Sequence, residues 1–422
     1  MNGFAELARA ATAAHLARPD VPLALATLVQ VEGSSYRQPG ARLLVDADGR
    51  VLAGAVSGGC LEGDVAARAA AVCASGRAIR LTYDLRADLE TIWGFGAACD
   101  GVAHLLLEPL PDWNWMEEAD MIAKRRLSGA IVTIVGEQNG GTSAILDGDA
   151  LTGRWRFFHE EAHRLTTADL TAIASTVART GLPFTQSFTQ SFTQPLPAAL
   201  PTAATAAATA AAPASAAPVF AFVEPLVAPI ALHLVGAGRG AEAFAAIAVT
   251  MGWQVTVIDH RPALLDGLTL PAGATKLAAG SLDAVHGTLA ALPHDGRTAV
   301  ALLSHIFDVD AAWLAAALPL PVGYVGVLGS RTRGAQLLAT VDATLGARGT
   351  PLSARMRRKL HAPIGLDLGG ETPASIALAA IAEIEAVIHG RPAGFLRERQ
   401  SPIHTRTPCP RIPEASETDP RG

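Results

Sequence analysis

The sequence predicts an α/β protein in two parts, an N-terminal α+β domain followed by a C-terminal Rossmann-like, doubly wound parallel sheet. Three observations carry this expectation. An uncharged block dominated by Ala, Thr and Pro at 184–217 divides the chain. Beyond it, short apolar runs alternate with longer helical patterns, the order of parallel βαβ units. The first of those runs, ALHLV, opens into Gly236-Ala237-Gly238-Arg239-Gly240-Ala241, a glycine turn between a strand and a helix.

Bulk properties narrow the classes further. A chain of 422 residues can bury two or three cores. Its net charge of −6 supplies no basic footprint, so nucleic acid and anionic membrane are excluded as partners. Four cysteines (Cys60, Cys73, Cys99 and Cys409) are too few and too scattered for a disulfide framework, and no pair has zinc-site spacing. Reduced thiols and a cytoplasmic location are expected. The N-terminus carries Glu6, Arg9 and Arg18 instead of a signal peptide. Residues 311–329 are apolar but broken by Pro319 and Pro321, and 196–223 are too weakly apolar to insert, so no membrane span is expected.

The N-terminal domain, 1–183, opens with a helix near 3–17 and a strand near 22–31. ARLLV and VLAGAV flank the turn Asp46-Ala47-Asp48-Gly49 and read as a hairpin. A helix over about 61–75 stops at Gly76. IRLTYDL and VAHLLLEPL are strands, IVTIVG and the segment to about 157 add more, and TTADLTAIASTVART (166–180) is a helix. FTQSFTQSFTQ opens the 184–217 block, read as a linker or insertion. VFAFVEPL (219–226) is strand-like and is a candidate to return to the N-terminal sheet.

The C-terminal domain spans 229–395, and the tail 398–422 is expected to be disordered. ALHLV, QVTVID, TAVALLSH and VGYVGVLGS are its strands, and 373–389 is a long helix. In the glycine turn, Gly236 permits the bend and Gly238 lets backbone approach a phosphate at the helix start. Asp259 ends the next strand, about 20 residues on, where a ribose hydroxyl of a nucleotide such as NAD would be held. The alternative is that these glycines serve helix–strand packing alone. Ser330 and Arg331, in Val327-Leu328-Gly329-Ser330-Arg331-Thr332-Arg333, suit an anion or equally an ordinary helix start. Gly369 and Gly370 lead to Thr372-Pro373, an N-cap and first helical residue, and make a second candidate anion cradle. Ser304 and His305 end a strand on the same rim.

The cysteines divide by context. Cys60, in SGGCLEGD (57–64), follows Gly58 and Gly59 at a predicted helix start, where the dipole favours thiolate while Glu62 and Asp64 oppose it. Cys99 lies in a second glycine loop, GFGAACDG (94–101). Cys73 falls within a helix and reads as core. A presented thiol and a buried filler both remain open for Cys60.

Taken together, GSSYRQPGARLLV (33–45), GAVSGGCLEGDV (54–65), CDGVAHLLLEPL (99–110), LHLVGAGRGAEAF (232–244), VGYVGVLGSRTR (322–333) and APIGLDLGGETPASIALAAIAEI (362–384) resemble the XdhC/CoxI family, accessory proteins of molybdenum hydroxylases such as xanthine dehydrogenase. The resemblance implies a chaperone of the molybdenum cofactor (molybdopterin) rather than a turnover enzyme. It would protect the cofactor, support its sulfuration by a cysteine desulfurase, and insert it into xanthine dehydrogenase. Cys60 matches the family cysteine of the SGGCLEG motif, as a molybdenum or sulfur contact, and Cys99 matches a second. A homodimer is expected. Two readings compete: an NAD(P)-dependent oxidoreductase resting on Gly236, Gly238 and Asp259, and a docking protein whose glycine loops are purely structural.

Overall fold

The computed structural model describes residues 3–86, 101–127, 129–135, 141–147, 154–157, 172–173, 176, 183–188, 219–282 and 284–400. The chain divides between Ala228 and Pro229 into two units.

The N-terminal unit holds two antiparallel sheets. The first contains β1 (Leu23–Gly33), β2 (Arg42–Asp46), β3 (Val51–Gly54), β4 (Ile79–Asp84) and β5 (Gly101–Pro109), in the order β3-β2-β1-β5-β4. Strand β1 is apolar on both faces because helices cover both. Ala24, Ala26 and Leu28 meet Val65, Ala69 and Val72 of α2 (Glu62–Ser75). Leu23 and Leu25 point the other way, to Phe4 and Leu7 of α1 (Phe4–Ala17) and Trp115 and Met116 of α3 (Asn114–Lys124). Gly76, in the left-handed region at φ 64°, ends α2.

The second sheet contains β6 (Gly129–Val135), β7 (Gly141–Asp147), β8 (Arg154–Phe157), β9 (Phe184–Phe188) and β10 (Val219–Pro225), in the order β8-β7-β6-β10-β9. Strand β10 pairs with β6 in the N-terminal unit. Val29 and Leu106 of the first sheet pack with Val135, Phe220 and Phe222 of the second. The structure differs from the linker reading at its start: Phe184–Phe188 pairs with β10 instead of running free. Phe and Thr are strand formers, and β10 offers them an edge. The helix expected over 166–180 falls largely outside the described residues, as do the rest of the 184–217 block and the tail from 401.

The C-terminal unit holds one parallel sheet of β11 (Ala231–Val235), β12 (Gln254–Asp259), β13 (Ala274–Ala278), β14 (Thr298–Leu302), β15 (Tyr324–Val327) and β16 (Leu360–His361). Their order, β13-β12-β11-β14-β15-β16, is that of the Rossmann fold, so the predicted doubly wound sheet is present. Leu232, Leu234, Ala299 and Ala301 pack with α4 (Arg239–Thr250) and α10 (Pro373–Ile388). On the opposite face, Val300 and Leu302 pack with α6 (Val285–Ala290), α7 (Phe307–Ala317) and α8 (Arg331–Ala347), while the short α5 (Pro262–Asp266) and α9 (Ala354–Arg358) complete the order. No helix among the described residues is long and apolar enough to cross a membrane.

One buried ion pair joins the two N-terminal sheets. The Arg42 guanidinium on β2 lies 2.7 Å from the Glu224 carboxylate on β10, and their side chains are 2% and 4% exposed. Arg42 also donates to the Gly40 carbonyl and stacks over the Phe4 ring. Removing one buried partner leaves the other charge uncompensated. Glu224→Ala is therefore expected to destabilise this unit by about 3–5 kcal/mol, and the Arg42→Met, Glu224→Leu pair by much less, read as shifts in the urea unfolding midpoint.

Candidate functional site

The Cys60 loop is built around one carboxylate. Strand β3 ends at Gly54 and α2 starts at Glu62, so the intervening turn must find partners for its own amides. The Glu62 carboxylate accepts from the amides of Val56 (3.1 Å), Ser57 (2.8 Å) and Leu61 (3.2 Å), and from the Ser57 hydroxyl. Ser57 Oγ in turn accepts from the amides of Gly59 (3.0 Å) and Leu61 (3.1 Å). Burial pushes the Glu62 carboxyl up, but the Ser57 hydroxyl and the backbone amides outweigh it and hold the group below its ordinary value. The amides of Val56, Ser57 and Leu61 on either side of Cys60 are thus all aimed at Glu62.

Within this frame Cys60 is half-buried, packed at the edge of the core beneath α2. Gly59 has φ 115°, and among the described residues no atom beyond its chain neighbours lies within 4 Å of the place a β-carbon would take, so the loop is open there. Cys73, also half-buried, has its thiol pushed up by burial and lies 3.5 Å from the Leu23 carbonyl. Cys99 lies outside the described residues. Among the described residues no group of three or more His, Cys, Asp or Glu side chains is placed to hold a metal ion.

The C-terminal rim separates glycines that pack from glycines that stay open. Gly236 sits at φ 111°, and a β-carbon there would meet Ser304 N at 2.8 Å and Leu303 C at 2.9 Å. Gly236 therefore lets the turn lie against the chain leaving β14. Gly238 is the N-cap of α4, and among the described residues a β-carbon there would meet nothing within 4 Å. Ala241 is fully buried. Asp259 is buried and folds back on this turn: its carboxylate accepts from the Ala237 amide (2.7 Å), from the Arg261 amide and Nε (2.9 Å each), and from a terminal Arg261 nitrogen (2.9 Å). Burial raises its carboxyl, but these donors hold it below the usual aspartate range.

Several of the remaining rim residues are also partnered internally. Ser330 caps α8, its hydroxyl accepting from the Arg333 amide, while Arg331 is exposed. Arg333 pairs at 3.0 Å with the fully buried Asp310, which accepts the Ser304 hydroxyl at 2.5 Å. Gly370 admits the first turn of α10, since a β-carbon would lie 2.3 Å from that of Ser375, whereas Gly369, at φ 73°, is open. Thr372 caps α10 by accepting from Ser375 N. Glu383 anchors the loop before α10 through the Tyr324 hydroxyl (2.5 Å), the Gly365 amide (2.8 Å) and His361 Nδ1 (2.9 Å).

Two family models match these regions: "XdhC and CoxI family" over residues 16–84, which contains the Cys60 loop, and "XdhC Rossmann domain" over 232–384. A probable xanthine dehydrogenase subunit from Bacillus subtilis is 28% identical over 361 residues, covering 85% of this chain and 91% of the relative.

The chain belongs to the XdhC family.

An uncharacterised Escherichia coli protein, YqeB, is 30% identical over 171 residues, 40% of this chain and 30% of its own length. The crystal structure of a xanthine dehydrogenase from Bacillus halodurans shares the XdhC fold, with a TM-score of 0.63 at 23% identity, covering 92% of this chain and 96% of that one.

Within this XdhC chain the structure brings Gly58, Gly59 and Cys60 into one loop, and Gly236, Gly238 and Asp259 into one turn. Sequence reasoning missed Ser57 as the hydroxyl that ties the first loop, and the Asp310–Arg333 pair behind Ser304. An Asp or Arg flanking a glycine turn is a weak signal, because its partner is set only by the fold.

The glycines give a first test here. Gly236→Ala forces a left-handed residue against backbone and should cost roughly 2 kcal/mol or more, whereas Gly238→Ala should leave the melting temperature nearly unchanged. The second test is a pH series. A carboxyl held low in the folded state stabilises fully above its unfolded value and loses that contribution as pH falls through its folded value. The stability difference between wild type and Glu62→Gln should thus be flat from about pH 7 to about 5 and shrink below that. A difference growing on acidification would contradict the assignment.

Proposed function

We propose that this XdhC protein is an accessory factor of xanthine dehydrogenase that binds the molybdenum cofactor, protects it, supports its sulfuration with sulfur from a cysteine desulfurase, and passes it to the dehydrogenase. Family membership and the Bacillus subtilis relative named for xanthine dehydrogenase support the accessory role. The observation that carries the cofactor reading is Cys60, a half-buried thiol on an open glycine loop whose shape is held by Ser57 and Glu62. Molybdenum and dithiolene sulfur are soft, and a thiol is the matching protein donor.

The oxidoreductase alternative loses support at Asp259. A carboxylate offers about four acceptor positions, and four donors from Ala237 and Arg261 already occupy them. A ribose diol would have to displace that pairing.

Protein purified without oxygen from a cofactor-producing host should carry molybdenum and pterin by mass and metal analysis, and Cys60→Ala should lose binding or transfer. A Cys60→Ala protein that still reconstitutes apo-xanthine dehydrogenase at the wild-type rate removes Cys60 from the function. Wild-type protein free of pterin, with tight nicotinamide binding by calorimetry, would favour the oxidoreductase.

A further inference from the structure

The chain has three tyrosines, and two of them donate their hydroxyls to carboxylates. Tyr83 donates to Asp64 at 2.6 Å and Tyr324 to Glu383 at 2.5 Å. Tyr36 is different. It is 69% exposed, in the segment between β1 and β2, and its hydroxyl meets no partner among the described residues.

Its position is specific. The place a β-carbon would occupy on Gly58 lies 3.7 Å from Cγ, 3.7 Å from Cδ1 and 3.9 Å from Cδ2 of Tyr36. Nearly equal distances to three adjacent ring atoms describe an approach to the face of the ring, not to its edge. One face of Tyr36 therefore looks onto Gly58 of the Cys60 loop, near enough that a methyl group there would be in van der Waals contact with the ring, and most of the side chain is open to solvent. Beside it, Gly59 leaves clear space. The loop under the ring is stiffened by the Ser57 and Glu62 hydrogen bonds, so the aromatic surface is supported from below. A flat, supported and exposed ring beside an open glycine is a stacking surface for another planar ring.

We propose that Tyr36 is the shelf on which a planar heteroaromatic ring stacks. On the cofactor reading, on which this identification rests, that ring is the pterin. Cys60, two residues beyond Gly58 on the same loop, then serves the sulfur-bearing end of the same ligand. Tyr36 is a binding residue and takes no part in proton or sulfur transfer.

Two probes separate the inference from the reading beneath it. One is 6-hydroxymethylpterin, which has the ring but neither dithiolene nor phosphate. The other is molybdenum cofactor released anaerobically from a purified molybdoenzyme. Wild type, Tyr36→Phe, Tyr36→Leu and Cys60→Ala are titrated with each by calorimetry, with melting curves as the control for folding. Tyr36→Leu keeps apolar bulk without the flat face, and should weaken both probes about tenfold or more, while Tyr36→Phe stays within about twofold. Cys60→Ala should weaken the cofactor but not the simple pterin. If wild type and Tyr36→Leu bind the cofactor equally, the shelf is overturned and the cofactor reading stands. If Tyr36→Phe is as weak as Tyr36→Leu, the hydroxyl matters rather than the ring, and stacking is overturned. If wild type binds neither probe, both fall together.

Discussion

The carboxylate of Glu62 is the constraint on which the Cys60 loop depends. A strand ending at Gly54 and a helix starting at Glu62 leave a short turn with Gly58 and Gly59 at its centre. Glycine-rich backbone has the most conformational freedom to lose on folding. Here the loss is offset by hydrogen bonds gathered on one anionic group, which are stronger than neutral ones. The turn therefore keeps glycine's open surface without its disorder. Cys60 thus sits on a backbone whose neighbouring amides are held by Glu62 and Ser57.

The same device recurs in the C-terminal unit. Asp259 closes the glycine turn after β11, Asp310 binds Ser304 and Arg333 together after β14 and β15, and Glu383 holds the loop before α10. Each is a partly or fully buried carboxylate satisfied by backbone amides, a hydroxyl or a cation. A buried donor left unpaired costs about 1–3 kcal/mol, and the donors gathered on each carboxylate in turn offset its own burial.

How much of this was legible in the sequence depended on whether a feature is local. Strand and helix alternation, the glycine turn and the β10 run VFAFVEPL are periodic or compositional, and they place the Rossmann sheet and its first turn correctly. The capping roles of Ser330 and Thr372 follow from their positions just before helices, and capping was one of the readings open at Ser330. By contrast, Gly236 and Gly238 are the same residue two positions apart, and only the approach of Ser304 to one of them separates a packing glycine from an open one. Glu62 was readable as a charge near Cys60. Its grip on amides as far back as Val56 was not, because that contact needs the turn to close first. The repeat at 184–188 misled because low complexity hides a strand whose partner lies about 30 residues away across the block.

A fold of this order does not bring its usual ligand with it. In a Rossmann sheet the ligand position lies outside the carboxyl ends of the strands, at the switch between β11 and β14. At that switch Gly236 is spent on packing, Asp259 on Ala237 and Arg261, and Ser304 on Asp310. The groups that read a ribose diol are thus consumed by the protein itself. What still faces outward is Gly238, Gly240 and the exposed Arg239, backbone and cation, whose chemistry suits a phosphate and not a sugar hydroxyl. The carboxylate and hydroxyl of this rim are committed to internal hydrogen bonds, and the outward face of the turn is backbone and one cation.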